Sequence, residues 1–214
     1  MSGPGLATIS YGQNSEIDTL MSDYATQRRN MVDSQLRTNK VTDPALLEAM
    51  ASVPRERFVP AAQRGIAYVD DDLLIGHGRA LLEPMVFARL LQAAEIGRQD
   101  RVLDIGCATG YSAAVIAGLA GTVVALESEA TYVGEASAAL ASLGVVNAMV
   151  ISGPLEKGWP RRAPYDVIII EGAVDHLPED LLEQLGEGGR LVAVIRDTEG
   201  MGRATIVTRR AGLL

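Results

Sequence analysis

An α/β fold, with a mostly parallel twisted sheet covered by helices on both faces, is predicted by three observations. Strand-length apolar runs at residues 101–105, 121–127, 148–152, 166–170 and 189–195 are separated by helical stretches at 111–119, 129–143 and 178–185, except between the third and fourth runs. That interval is the one right-handed βαβ units require. Val167-Ile-Ile-Ile170 is apolar at every position, as a strand buried on both sides must be. The first run ends in a carboxylate, Asp104, and passes at once into Gly106-Cys-Ala-Thr-Gly110, a nucleotide-binding turn. A last strand, 203–209, follows the turn 197–202 and is expected to add antiparallel at an edge. Only five residues remain after Arg209.

Before the sheet the pattern differs. Residues 1–22, rich in Gly, Ser and polar side chains without a period, read as a disordered leader, and Met21-Ser-Asp-Tyr24 resembles an alternative start. A helix is predicted over 23–39, with Met31, Val32 and Leu36 inward. A second begins at Thr42-Asp-Pro44, an N-cap followed by proline, and presents Leu46, Leu47, Ala49 and Met50. Val53-Pro-Arg-Glu-Arg-Phe-Val-Pro60 reads as a proline-bounded link, and 84–96 as a helix using Met85, Val86, Leu90 and Leu91. The division that follows is a leader at 1–22, a helical cap with a loop at 23–97, and an α/β unit at 98–214, the last two forming one compact body.

Composition narrows the function classes. A net charge of −8 and a pI near 4.8 leave no basic patch, which disfavours a nucleic-acid partner. One cysteine excludes an internal disulfide and a cysteine zinc cage, and with only His77 and His176 no metal site is suggested. No apolar run approaches the ~20 residues of a membrane helix, so a cytoplasmic protein is expected, with no membrane partner.

The turn carries the chemistry. Gly106 and Gly110 lie four apart, whereas the outer glycines of the dinucleotide fingerprint lie five apart. Both are expected to let the backbone approach a ligand. Cys107 fills the turn as a small residue, and Ala108 stands at its middle and is expected to avoid positive φ. The helix that follows turns its free N–H groups and dipole toward an anionic group. Glu127, ending the second strand seventeen residues after Gly110, suits a pair of ribose hydroxyls, with Ser128 beside it. A plain strand-to-helix loop, or a solvated helix start at Glu127, is the bland alternative.

An acid two residues before a Gly-x-Ala-x-Gly turn resembles S-adenosylmethionine-dependent methyltransferases of the Rossmann-like class I. That resemblance implies S-adenosyl-L-methionine as methyl donor, its carboxylate at the helix end and its ammonium at Asp104. The donor-binding set is then Asp104, Gly106, Cys107, Ala108, Gly110, Glu127, Ser128, Pro154 and Leu155.

More specific pieces recur in order: Arg28-Arg-Asn-Met-Val-Asp-Ser-Gln-Leu-Arg37, Val53 to Pro60, Ala67-Tyr-Val-Asp-Asp-Asp-Leu-Leu-Ile-Gly-His-Gly78, Gly158-Trp-Pro160 and Ala163-Pro-Tyr-Asp166. Over roughly residues 24–195 they resemble the protein-L-isoaspartate O-methyltransferase family. The resemblance implies methylation of the α-carboxylate of isoaspartyl residues in damaged proteins, hence a protein or peptide carboxylate as partner. Proteins resembling this one usually supply a further strand after the position of Arg209; without it an open edge is expected to invite self-association, giving a monomer or weak dimer. A carboxylate is already nucleophilic at neutral pH, so positioning and exclusion of water matter more than a general base.

The sequence departs from that family at several places. In Gly78-Arg-Ala-Leu-Leu-Glu-Pro84, Ala80 stands at the family's threonine, Leu82 at the serine usually assigned to catalysis and Glu83 at a glutamine, so no catalytic residue is assigned. Pro154, in Gly153-Pro-Leu155, replaces the aspartate that contacts adenine, leaving backbone and Leu155. Glu171, in Ile170-Glu-Gly-Ala173, replaces a small or hydroxyl residue at a strand end that faces the ligand crevice. Substrate-side candidates are Asp70, His77, Ala80, Leu81, Leu82, Glu83 and Glu171. Asp71 and Asp72 read as a solvated loop, Trp159 as a packing anchor and His176 as surface. The departures keep two alternatives open: a different acceptor on the same fold, or a non-catalytic protein that binds the donor.

Overall fold

The computed structural model describes residues 23–210; the leader and the last four residues, on which expectations above fall, lie outside that range. Helix α1, residues 23–30, continues as a π-helix, Met31–Leu36, and a 3-10 turn, Arg37–Asn39, with Met31, Val32 and Leu36 buried as the spacing predicts. α2, Pro44–Ser52, starts where expected: the Asp43 carboxylate accepts the Ala45 N–H at 2.9 Å and proline takes the first position. Its buried residues are the four predicted.

In α3, Pro84–Ala94, the buried stripe is Phe87, Ala88, Leu90, Leu91 and Ala94, while Met85 and Val86 are only half-buried. The predicted face is therefore rotated, because Phe87 turns in to meet the Tyr111 ring at 5.7 Å. The start of α3 adds a role for the acidic loop, whose Asp71 and Asp72 are exposed as read. Asp72 accepts the Glu83 N–H at 2.7 Å and Asp70 accepts that of Met85 at 3.3 Å, so two of the three aspartates tie down the free N–H groups of a helix start.

A hairpin absent from the sequence-based reading precedes α3. β1, Leu73–Gly76, pairs antiparallel with β2, Arg79–Leu81, around Gly76-His77-Gly78, whose φ values are all positive. Leu73 and Ile75 point inward and Leu74 outward, the alternation of a half-buried strand.

The main sheet contains β3, Arg101–Ile105; β4, Thr122–Glu127; β5, Ala148–Ser152; β6, Tyr165–Val174; β7, Leu185–Arg196; and β8, Gly202–Thr208, in the order β5-β4-β3-β6-β7-β8. All neighbours are parallel except β7 and β8, the expected antiparallel edge. Helices α4, Tyr111–Ala117, α5, Ala130–Ser142, and α6, Glu179–Glu183, complete the alternation. α6 is shorter than expected because β7 begins at Leu185, which pairs with Tyr165 ahead of a register shift.

Buried residues form two clusters. One joins the cap residues Met31, Leu46, Met50 and Phe58 to Val102, Ile116, Val167 and Val192; the other gathers Leu103, Ile105, Ile168, Leu181 and Leu191. Strand order reverses between β3 and β6, and at such a reversal the loops leaving the carboxyl ends diverge and open a crevice. Ile105 and Ile170 are register partners there, so the turn after β3 and Glu171 after Ile170 lie side by side.

Candidate active site

Asp104 is fully buried at the end of β3. Its Oδ2 accepts the Ser112 hydroxyl at 2.7 Å, while Oδ1 has no partner. Burial pushes this carboxyl up to about 7, opposed by the Ser112 hydrogen bond and reinforced by the charge of Glu127. Glu171 Oε1 is likewise buried without a partner; burial, then Asp104, raise its pKa well above the usual carboxylate range, and Arg55 opposes them.

Glu127 has the opposite character. Burial alone would raise its pKa, but hydrogen bonds outweigh burial and hold it below the ordinary value. Oε1 accepts the Ser128 N–H at 2.7 Å and the Glu129 N–H at 2.9 Å; Oε2 accepts that of Ala108 at 3.0 Å. Arg79, on β2, completes the set with a forked contact, Nη2 to Oε1 at 2.8 Å and Nε to Oε2 at 3.2 Å, and also reaches the Ser128 hydroxyl. Arg79 went unnoticed in the sequence because its partner is 48 residues away.

The turn itself corrects one expectation. Ala108 takes φ +47°, not a negative value. The left-handed conformation costs about 1–2 kcal/mol, and the hydrogen bond from its N–H to the charged Glu127 is of comparable worth, about 1.5–3 kcal/mol. Gly110, at φ +92°, also has a packing role: a Cβ there would lie 3.0 Å from the Ala136 Cβ, so the glycine lets α4 and α5 touch. Cys107 is buried in the turn as expected, its thiol driven up by burial first and by the surrounding carboxylates second.

Val53 to Pro60 is more than a link. It holds a 3-10 turn, Arg55–Arg57, whose Arg55 is fully buried. Arg55 donates Nε to the Ala67 carbonyl and Nη2 to the Leu82 carbonyl, both at 2.8 Å, and lies 4.8 Å over the Tyr111 ring. Its Nη1 and the Tyr111 hydroxyl have no partner.

A small cavity gathers Arg55, Ala80, Leu81, Leu82, Phe87, Tyr111 and Glu171 against Gly106, Cys107, Ala108 and Ser112. Ala80 and Leu81 of the hairpin, and Leu82 just after it, are thus brought to the turn. Leu155 lines an adjoining cleft with Arg79, Ile170, Glu171 and Pro178. Pro154 is exposed, just ahead of the 3-10 turn Leu155–Lys157. Three substrate-side candidates stand apart from the cavity. Asp70 and Glu83 belong to the α3 start; His77, at the hairpin turn, meets Tyr132 edge-on at 5.5 Å and lines a separate groove with Phe58, Pro60 and Thr109. Trp159 packs into the second cluster and His176 is exposed, as read. Among the described residues no group of three His, Cys, Asp or Glu is arranged to hold a metal ion, and no helix is long and apolar enough to cross a membrane.

A sheet of this order, with an acid and glycine turn after its first strand and a second acid ending the next, defines a class I S-adenosylmethionine-dependent methyltransferase fold. The family model for protein-L-isoaspartate(D-aspartate) O-methyltransferase matches residues 26–213. A protein-L-isoaspartate O-methyltransferase 1 of Rhodopseudomonas palustris (strain HaA2) is 41% identical over 188 residues, covering 88% of this chain and 77% of that one. A relative from Opitutus terrae is 40% identical over 186 residues, covering 87% and 80%. Among solved structures, a protein-L-isoaspartate O-methyltransferase superposes with TM-score 0.75 at 26% identity, covering 86% of this chain and 60% of that chain. A candidate member from Plasmodium falciparum, in complex with S-adenosyl-L-homocysteine, gives 0.74 at 19% identity, covers 89% and 92%, and attests the fold. The chain belongs to the protein-L-isoaspartate(D-aspartate) O-methyltransferase family.

Proposed function

We propose that this protein transfers a methyl group from S-adenosylmethionine to the α-carboxylate of isoaspartyl residues in proteins and peptides. The observation that carries the donor half is the contrast between its two buried acids: Asp104 keeps an unpartnered oxygen, suited to an ammonium, and Glu127 stays ionised at the next strand end, suited to ribose hydroxyls. Gly106, Cys107, Ala108, Ser128 and Leu155 line the path between them, and adenine rests on Leu155 and backbone because Pro154 offers no side-chain acceptor. The donor supplies a methyl group on a sulfonium, already electrophilic. Ala80, Leu81, Leu82 and Phe87 exclude water from the acceptor side. Cap and α/β unit act as one body, since the site takes Arg55 and the hairpin from one and the glycine turn from the other. A net charge of −8 favours a protein over a nucleic-acid acceptor.

Arg79 is the residue that must move. Glu127 already accepts hydrogen bonds on both oxygens, so ribose hydroxyls engage it only as the forked arginine withdraws. Arg79→Ala is therefore expected to tighten donor binding about threefold to tenfold, on the order of 1 kcal/mol, and to remove much of its salt dependence. Weaker binding in calorimetry would assign Arg79 to the bound state instead.

The test of the function pairs calorimetric titration with S-adenosylmethionine and S-adenosylhomocysteine with transfer of labelled methyl to an isoaspartyl peptide and to its normal aspartyl counterpart. Micromolar donor binding and label in the isoaspartyl peptide alone is the expected result. Binding without label overturns the acceptor assignment, and no binding overturns the whole reading.

A further inference from the structure

Four buried polar atoms around the glycine turn have no hydrogen-bond partner: Arg55 Nη1, Asp104 Oδ1, Tyr111 OH and Glu171 Oε1. A buried polar atom left unpaired costs about 1–3 kcal/mol, so four at one place point to a polar ligand. Asp104 is accounted for by the donor's ammonium. The remaining three belong to residues lining the cavity that Ala80 and Leu82 also line. Those hairpin positions offer no hydroxyl, yet an isoaspartyl carboxylate entering there needs hydrogen-bond donors.

We propose that Glu171 donates a carboxyl O–H to the acceptor carboxylate, supplying from the sheet the hydrogen bond that Ala80 and Leu82 cannot supply from the hairpin, with Arg55 Nη1 and the Tyr111 hydroxyl as its neighbouring donors. The proposal deepens the isoaspartyl reading and rests on it. Glu171 lies within β6, at the register shift between Ile169 and Ala173 and short of the strand end at Val174, not at the strand end the sequence suggests; it is still beside the turn, since a Cβ on Gly106 would lie 3.9 Å from the Glu171 Cβ. An ionised Glu171 would repel the substrate; a neutral one binds it. Burial and the neighbouring Asp104 favour the neutral form.

The step balances without a proton. An oxygen of the acceptor carboxylate forms a bond to the methyl carbon, the carbon–sulfur bond breaks, and its electron pair stays on sulfur, turning sulfonium into thioether. Glu171 keeps its proton throughout, which separates this role from that of a general base. The groups around Glu171 are Asp104 on β3, Cys107 in the turn, Arg55 on the cap, Tyr111 on α4, and Arg79 and Glu156 across the adjoining cleft. Arg55, Arg79 and the bound sulfonium favour ionisation, and the two acids oppose it.

The test is kcat/KM for an isoaspartyl peptide at saturating donor, measured against pH in the full-length protein, Glu171→Gln and Glu171→Ala, with donor affinity measured in parallel to establish folding. The unsubstituted protein is expected to lose kcat/KM as pH rises through the ionisation of Glu171, chiefly through a rising KM. Glu171→Gln, whose carboxamide still donates, keeps measurable turnover and loses that alkaline decline. Glu171→Ala falls tenfold or more at the acid end. Profiles in both variants that match the unsubstituted protein overturn the proposal. So does a rate that climbs with pH and vanishes in Glu171→Gln, which would make Glu171 a base for a hydroxyl acceptor. If the unsubstituted protein binds donor but methylates no isoaspartyl peptide at any pH, the isoaspartyl reading fails and takes this inference with it.

Discussion

Arg55→Ala is expected to destabilise the protein by about 3 kcal/mol or more. Three losses combine. The Ala67 and Leu82 carbonyls each lose a charged donor at 2.8 Å, the Tyr111 ring loses the guanidinium stacked 4.8 Å above it, and a cavity opens where a fully buried side chain stood. For a chain of this size that corresponds to a fall in the unfolding midpoint of about 6–12 °C. Arg55→Met separates the contributions, since it fills most of the volume but restores no donor; a loss of about 2 kcal/mol is expected from the two stranded carbonyls. Denaturant unfolding followed by circular dichroism measures both. Variants within about 0.5 kcal/mol of the parent, the range of an ordinary surface change, would show that Arg55 is not the clamp described. The position also ties stability to the site: Leu82 ends the segment that covers the glycine turn, and its carbonyl is held by Arg55 alone among the contacts described.

The parts that sequence reasoning recovers are those with local causes. β3 and β5 fall on their predicted residues because a strand buried on both faces, or one bounded by turn residues, announces itself within five positions. α2 is equally local: Asp43 and Pro44 write its start into two adjacent residues. What escaped has distant causes. Arg55 looks like a surface charge until the carbonyls 12 and 27 residues away are brought to it, and Arg79 until β4 is folded against the hairpin. Ala108 takes a positive φ for the same reason, its N–H being drawn to Glu127, nineteen residues on. The β1–β2 hairpin escaped because Leu73, Leu74 and Ile75 are all apolar and show no period of two; only the pairing across Gly76-His77-Gly78 turns Leu74 outward.

Asp104→Ala and Glu127→Ala are each expected to weaken donor binding at least tenfold, about 1.4 kcal/mol or more, but the two acids part company in their pH dependence. In the proposed function Asp104 receives the donor's ammonium as a carboxylate, and burial has pushed its pKa up to about 7. Below that pH the site holds a proton that must leave before the ammonium can be received. Donor affinity is therefore expected to rise between pH 6 and 8, with proton release that shows as a dependence of the calorimetric enthalpy on buffer. Because the folded-state pKa lies above the unfolded value of about 3.9, the stability tied to the neutral carboxyl is fully present below that unfolded value and is lost as pH rises through 7. The unliganded protein then becomes less stable over the window in which the donor's ammonium can compensate, so the rise in unfolding midpoint on adding donor grows with pH. Glu127, held ionised by Arg79 and three backbone N–H groups, does not titrate in that window. Glu127→Ala should lose affinity yet keep the slope, whereas Asp104→Ala should lose both. Equal affinity at pH 6 and pH 8 in the unsubstituted protein would remove the ammonium from Asp104, and undiminished binding in both alanine variants would remove the donor from this turn altogether.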